Sequence, residues 1–174
     1  MPTPTYVAIA KTVLTGSQTD VTFSGISNTY TDLVLLVSAR SGTSNTYDFM
    51  RITLNADTSA LYSTTLLWGF GTSTGSSRSS SQTILQTNFA ISGNTATSNT
   101  FGSSEFYFPN YAGSANKVIS STSLSETNAA GSTEIDNVAG LYRSTSAISS
   151  IKLDLSGNNF LTGSRFDLYG IKNS

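Results

Sequence analysis

The 174-residue chain contains no cysteine and no histidine. Without cysteine there are no disulfides or thiolates to staple the fold, so stability rests on packing and assembly, and the redox compartment leaves no trace in the sequence. Without histidine the usual general base, the Ser-His-Asp and Cys-His arrangements and the commonest zinc ligand are all missing. Charge is scarce too: Asp, Glu, Lys and Arg make up 11% of the chain and the net charge is -1, with a pI near 5.2. No cationic face is available to neutralise many phosphates, which excludes nucleic acid and anionic membranes as partners. No apolar run approaches the roughly 20 residues of a membrane-spanning helix. The opening MPTPTYVAIA lacks a basic region followed by a long apolar one, and no Asn-x-Ser/Thr sequon occurs. The expectation is a protein that is neither Sec-exported nor membrane-spanning.

What the chain does hold is 37% hydrophobic and 10% aromatic residues, spread along its length among Ser, Thr, Asn and Gly. That is enough apolar material to fold rather than stay disordered, and the polar remainder mixes β-compatible threonine with turn formers. Apolar residues recur with a period of two over 6–14, 20–26, 32–40, 48–55, 62–70, 83–91, 104–109, 117–124, 134–142, 148–155 and 165–171. No helical stripe competes with them. Many short strands in a chain of one-domain size predict an all-β fold: an antiparallel β-sandwich, jelly-roll-like, as a single domain over 1–174. A short extended N-terminal arm over 1–5, carrying Pro2 and Pro4, and long polar loops over about 71–82 and 92–104 complete the expected organisation.

Two strands are informative about faces. In 148–155, Ile151, Leu153 and Leu155 point one way and Lys152 and Asp154 the other, the pattern of a sheet with one wet side. In 32–40, Leu33, Leu35 and Val37 share one face while Val34 and Leu36 share the opposite one, so both faces are apolar. Such a strand is either covered by a loop or buried against a second copy of the chain.

Candidate chemistry is thin. Ten acidic residues are present, but they are scattered, and Glu134 and Asp136 form the one close pair; on one face of a strand they either bind Ca²⁺ or solvate a sheet edge. Gly69, Gly71 and Gly75 fit neither a Walker loop nor a dinucleotide fingerprint. Trp68 and Phe70 alternate with Leu67 at a strand end and read either as core or as an exposed contact tip. Arg78, amid serines, either anchors to an acidic neighbour or is solvated. Eight tyrosines raise sugar binding as another class, without a local aromatic and acidic cluster to mark a pocket. No catalytic residue, cofactor or metal is expected.

Several segments, taken in order, carry a resemblance: VTFSGISNTYTDLVLLVSAR (21–40), FMRITLNADTSALYS (49–63), FGSSEFYFPNYAGSANKVIS (101–120), VAGLYRSTSAISSIKLDLS (138–156) and FLTGSRFDLYGIKNS (160–174). Together they resemble small virion proteins of tailed bacteriophages. The resemblance implies a β-sandwich structural component of the particle, made in the host cytoplasm. Proteins of this kind occur as head decoration or cement proteins and as parts of tail fibres, and it carries no catalytic residues. A chain that spends its length on one domain without a shaft fits the head surface better. The resemblance then implies the major capsid protein as partner and self-association as a homotrimer; under that reading the two-faced strand, the 68–81 stretch and the N-terminal arm make Pro2, Pro4, Tyr6, Val34, Leu36, Trp68, Phe70 and Arg78 candidate contacts. A tail-fibre or receptor-binding module contacting host surface glycan is the alternative.

Overall fold

The computed structural model describes residues 5–128 and 133–172. Among them are twelve strands: β1 (Tyr6–Val13), β2 (Asp20–Ser24), β3 (Asp32–Ala39), β4 (Tyr47–Leu54), β5 (Tyr62–Phe70), β6 (Ser73–Gln82), β7 (Leu85–Ser92), β8 (Gly102–Phe108), β9 (Lys117–Ser125), β10 (Glu134–Tyr142), β11 (Ser150–Leu155) and β12 (Arg165–Ile171). They form an eight-stranded sheet in the order β1-β12-β3-β8-β9-β10-β5-β6 and a four-stranded sheet in the order β2-β11-β4-β7.

This order contains a complete jelly roll. The blocks β1-β12-β3-β8 and β2-β11-β4-β7 alternate between sheets along the chain, as two interlocked Greek keys require. The hairpins β5-β6 and β9-β10 are insertions into that roll, and both extend the same sheet beyond β8. The small sheet ends at β7, which packs across the inner faces of β8, β9, β10, β5 and β6. One strand thereby covers an extension several strands wide.

One core runs between the sheets. Leu33, Leu35, Val37, Phe106, Phe166 and Leu168 from the large sheet meet Met50, Ile52, Leu54, Phe89, Ile151 and Leu153 from the small one. Edge-on ring pairs Phe89–Phe106 at 4.9 Å and Phe160–Phe166 at 5.0 Å lie within it, the geometry that ring quadrupoles favour. Strand β11 is half-exposed as its alternation requires. Ile151, Leu153 and Leu155 are buried, while on the wet face Asp154 accepts from Arg51 Nε at 2.5 Å.

The stretch 71–82, expected as a loop, is mostly strand β6, paired along β5. Its sequence STGSSRSSSQ has no apolar residue to signal a strand. What holds it is backbone pairing at a sheet edge and the absence of a side chain at Gly75, over which Trp68 lies: a Cβ at Gly75 would stand 2.5 Å from Trp68 Cζ2. The other expected loop survives between β7 and β8, and Arg40 organises it. The buried Arg40 guanidinium donates to four carbonyls, Thr97 and Thr100 at 2.8 Å, Ala96 at 2.9 Å and Asn94 at 3.0 Å. Among the described residues no carboxylate pairs with this cation, and it is stabilised by backbone dipoles that the loop would otherwise leave unpaired.

Candidate binding surfaces

The inserted hairpin β9-β10 is built inside out. Strand β9 buries Lys117, Ile119, Ser121, Ser123 and Ser125, and β10 buries Glu134, Asp136, Val138 and Tyr142. The apolar residues between them face outward: Val118 is 55% exposed, Ile135 49% and Leu124 40%. Register explains the parity. Val138 lies opposite Leu66 of β5, and Tyr142 opposite Tyr62, and these four side chains are buried in the core. Period-two geometry then places every second residue on the same side, whatever its polarity. The inward Lys117 ammonium is accommodated by carbonyls of Gly113 at 2.6 Å, Ala115, and Ser144 at 3.5 Å, and burial lowers its pKa.

Two of these outward residues form a patch with Leu67, while Val118 lies at the other end of β9, opposite Leu141. Ile135 stands directly opposite Leu124, and Leu67 of β5, 60% exposed, is opposite Asn137 in the next row. Beside them the outer face of the large sheet is hollowed into a shallow trough of about 600 Å³, with Leu67, Leu124, Thr122, Asn137 and Tyr107 among its lining and Glu105 as its charged member. Fully burying an aliphatic side chain is worth about 1.5–3 kcal/mol, so a face that leaves these residues in water has free energy to gain from a protein surface laid against it.

The candidate contacts expected from sequence divide between the two faces. Leu36 is on the outer face, 38% exposed, with Glu105 and Asp167 opposite it on the flanking strands. Tyr6 is exposed and its ring meets Tyr169 edge-on at 6.3 Å. Arg78 is exposed on β6, opposite Thr65. Val34 is not available for contact. It is buried because Tyr107 and Tyr169 stand on either side of it on the neighbouring strands, so neither a loop nor a second copy is needed to cover it. Trp68 and Phe70 face inward and are half-buried; Trp68 packs against the core, and Phe70 meets Tyr47 of the small sheet at 5.4 Å. Pro2 and Pro4 lie outside the described residues.

Glu134 and Asp136 do not solvate an edge. β10 lies between β9 and β5 in the sheet interior, and Asp136 is fully buried with Glu134 nearly so. Polar side chains run across three strands here: Asp136 is opposite Ser123, and Ser123 opposite Ser104, with Trp68 on the other side of Asp136. Above it, the pairing of β7 with β4 slips between Met50 and Ile52. Asn88 lies in this bulge with a left-handed backbone, φ 36°, and its Nδ2 donates to Glu134 Oε1 at 3.2 Å. Re-aiming one side chain is a common result of a bulge. Burial raises the pKa of Glu134, and burial followed by the charge of Glu134 holds Asp136 well above the usual carboxylate range. Among the described residues no three acidic side chains converge into a metal cluster.

Neither protein-family models, nor curated proteins, nor solved structures match this chain. The fold and the surface therefore define a class only: a jelly-roll β-sandwich with an enlarged sheet whose outer face presents aliphatic side chains to solvent.

Proposed function

We propose that the protein is a structural component of a tailed-phage virion, a capsid decoration or cement protein that binds the outer surface of the head and holds neighbouring capsid subunits together. The observation that carries this reading is the outward cluster of Leu67, Leu124 and Ile135 beside a trough whose one charged lining residue is Glu105. Contiguous exposed apolar side chains mark protein contact surfaces, and interface cores are depleted in charge. The ordered resemblance of the five sequence segments supplies the particle.

The mechanism is thermodynamic. A protein that binds only the assembled shell stabilises it by its binding free energy, and one that spans several subunits gains further from multivalency. A homotrimer seated on a threefold position satisfies this with one closed interface repeated. Tyr6, Leu36 and Arg78, exposed elsewhere on the large sheet, are the further contacts available to such an arrangement.

The test is the copy number of the protein in purified virions relative to the major capsid protein, by quantitative mass spectrometry. A ratio comparable to the capsid protein supports head decoration. A ratio lower by an order of magnitude places it in the tail, as the fibre or glycan-binding alternative requires, and absence from virions removes both.

A further inference from the structure

Six side-chain oxygens in the layer beneath β7 are buried without a hydrogen bond of ordinary geometry: Oγ of Ser104, Ser121 and Ser123, Oε2 of Glu134, and both carboxylate oxygens of Asp136, which lie against Glu134 and the Ala90 backbone. Most buried polar atoms in proteins are paired, and leaving one unpaired costs about 1–3 kcal/mol, more if it is charged. Here the unpaired atoms come from neighbouring residues on adjacent strands. Ser104, Ser123 and Asp136 are consecutive members of one cross-strand row on the inner face; Glu134, beside Ser125, is one row to one side of it and Ser121, beside Val138, one row to the other, so the donors that stand together are Asp136, Glu134 and Ser123. All three serines are more than nine-tenths buried.

We propose that this layer is a binding site for one hard cation of the Ca²⁺ class. The donors are all oxygen, two carboxylates and neutral hydroxyls, which is the set that hard cations select over softer metals. Glu134 is arranged as a one-oxygen ligand. Its Oε1 is occupied by the Asn88 amide while Oε2 is left free, the outer hydrogen bond that orients a ligating carboxylate. The β7 bulge that places Asn88 over the layer thus has a purpose in the site. No lysine or arginine nitrogen makes an ion pair with either carboxylate among the described residues. A cleft of about 300 Å³, lined by Glu134, Ser125 and Thr133 among others, lies at the Glu134 end of the layer.

The fold also provides the reporter. Trp68, the only tryptophan in the chain, lies directly opposite Asp136. Tb³⁺, a luminescent stand-in for Ca²⁺, is therefore added to chelator-stripped full-length protein and excited through the tryptophan. Sensitised emission that saturates at one ion per chain and is displaced by CaCl₂ is the expected result. A rise in melting temperature of about 5–10 °C at a hundredfold excess of Ca²⁺ over Kd accompanies it. Asp136→Asn should abolish both signals. Ser123→Ala, which changes no charge, should weaken Ca²⁺ binding about tenfold and guards against a misfolded Asp136 variant. The proposal is overturned if stripped wild-type protein shows neither response, or if both variants bind Ca²⁺ like the wild type. A melting temperature that falls steadily between about pH 5 and pH 8, unchanged by Ca²⁺, also overturns it and leaves a carboxyl pair sharing a proton.

Discussion

The indole of Trp68 lies across Gly75 of the neighbouring strand, so closely that a methyl group there would come within 2.5 Å of Cζ2 and 2.8 Å of Cε2. The glycine is required by close approach, not by backbone conformation. Gly75→Val should tilt the indole off β6 and cost about 1–3 kcal/mol. Because Trp68 is the only tryptophan, a red shift of intrinsic fluorescence before any loss of secondary structure checks this directly. Unchanged emission would mean that the indole does not rest on the strand.

Arg40 makes four bonds to carbonyls of the β7-β8 loop. Arg40→Ala leaves these acceptors without their cation and should destabilise the protein by about 3 kcal/mol or more. Hydrogen exchange at residues 94–100 should accelerate by orders of magnitude in this variant, whereas Arg78→Ala, an exposed position, should leave both stability and exchange close to wild type.

Leu67→Asp combined with Ile135→Asp places two charges on the outer patch without touching the core. Stability should change by no more than about 1 kcal/mol, while the proposed binding to capsids, read by co-sedimentation with heads that lack the protein, should fall by about tenfold or more. Full binding by a folded double variant would move the docking surface elsewhere.

Stability should also decline steeply at alkaline pH. Burial raises the pKa of Tyr62, Tyr111 and Tyr142, the last also through its bond to the Asp57 carboxylate, and the bond to Asp32 raises that of Tyr107. Above about pH 10 the unfolded chain loses these phenolic protons while the folded protein keeps them, so unfolding is favoured as pH rises. Denaturant midpoints between pH 8 and pH 11, compared with tyrosinate absorbance, test this. Tyr142→Phe, which removes the 2.8 Å bond to Asp57 but keeps the 4.8 Å stack on Tyr62, should cost about 1 kcal/mol at neutral pH.

The alternation of apolar residues was enough to locate eleven of the twelve strands, several to the residue, as at 62–70, 134–142 and 165–171. The missing one, β6, has no apolar residue to alternate. Its strand character comes from hydrogen bonds to β5 and from the indole of a different strand. The acidic pair was visible in the sequence as Glu134 and Asp136, but the serines that share its layer come from β8 and β9, and only the pairing of strands brings them together.

The all-β class, the placement of most strands and the lack of any histidine- or thiol-based chemistry are legible in the chain alone, since these depend on residue type and local periodicity. Which face meets the core is legible in the alternation of β11, but in β9 and β10 it follows only from how the strands pair. A period of two assigns residues to two sets without saying which is inside. In β9 and β10 the hydrophobicity of Val118, Leu124 and Ile135 argues for one set, yet Ile119, Val138 and Tyr142 are registered against the core and bury the other. Strand pairing couples all of these choices, so the sheet settles them together, and the side chains it leaves outside form the surface on which the proposed function rests.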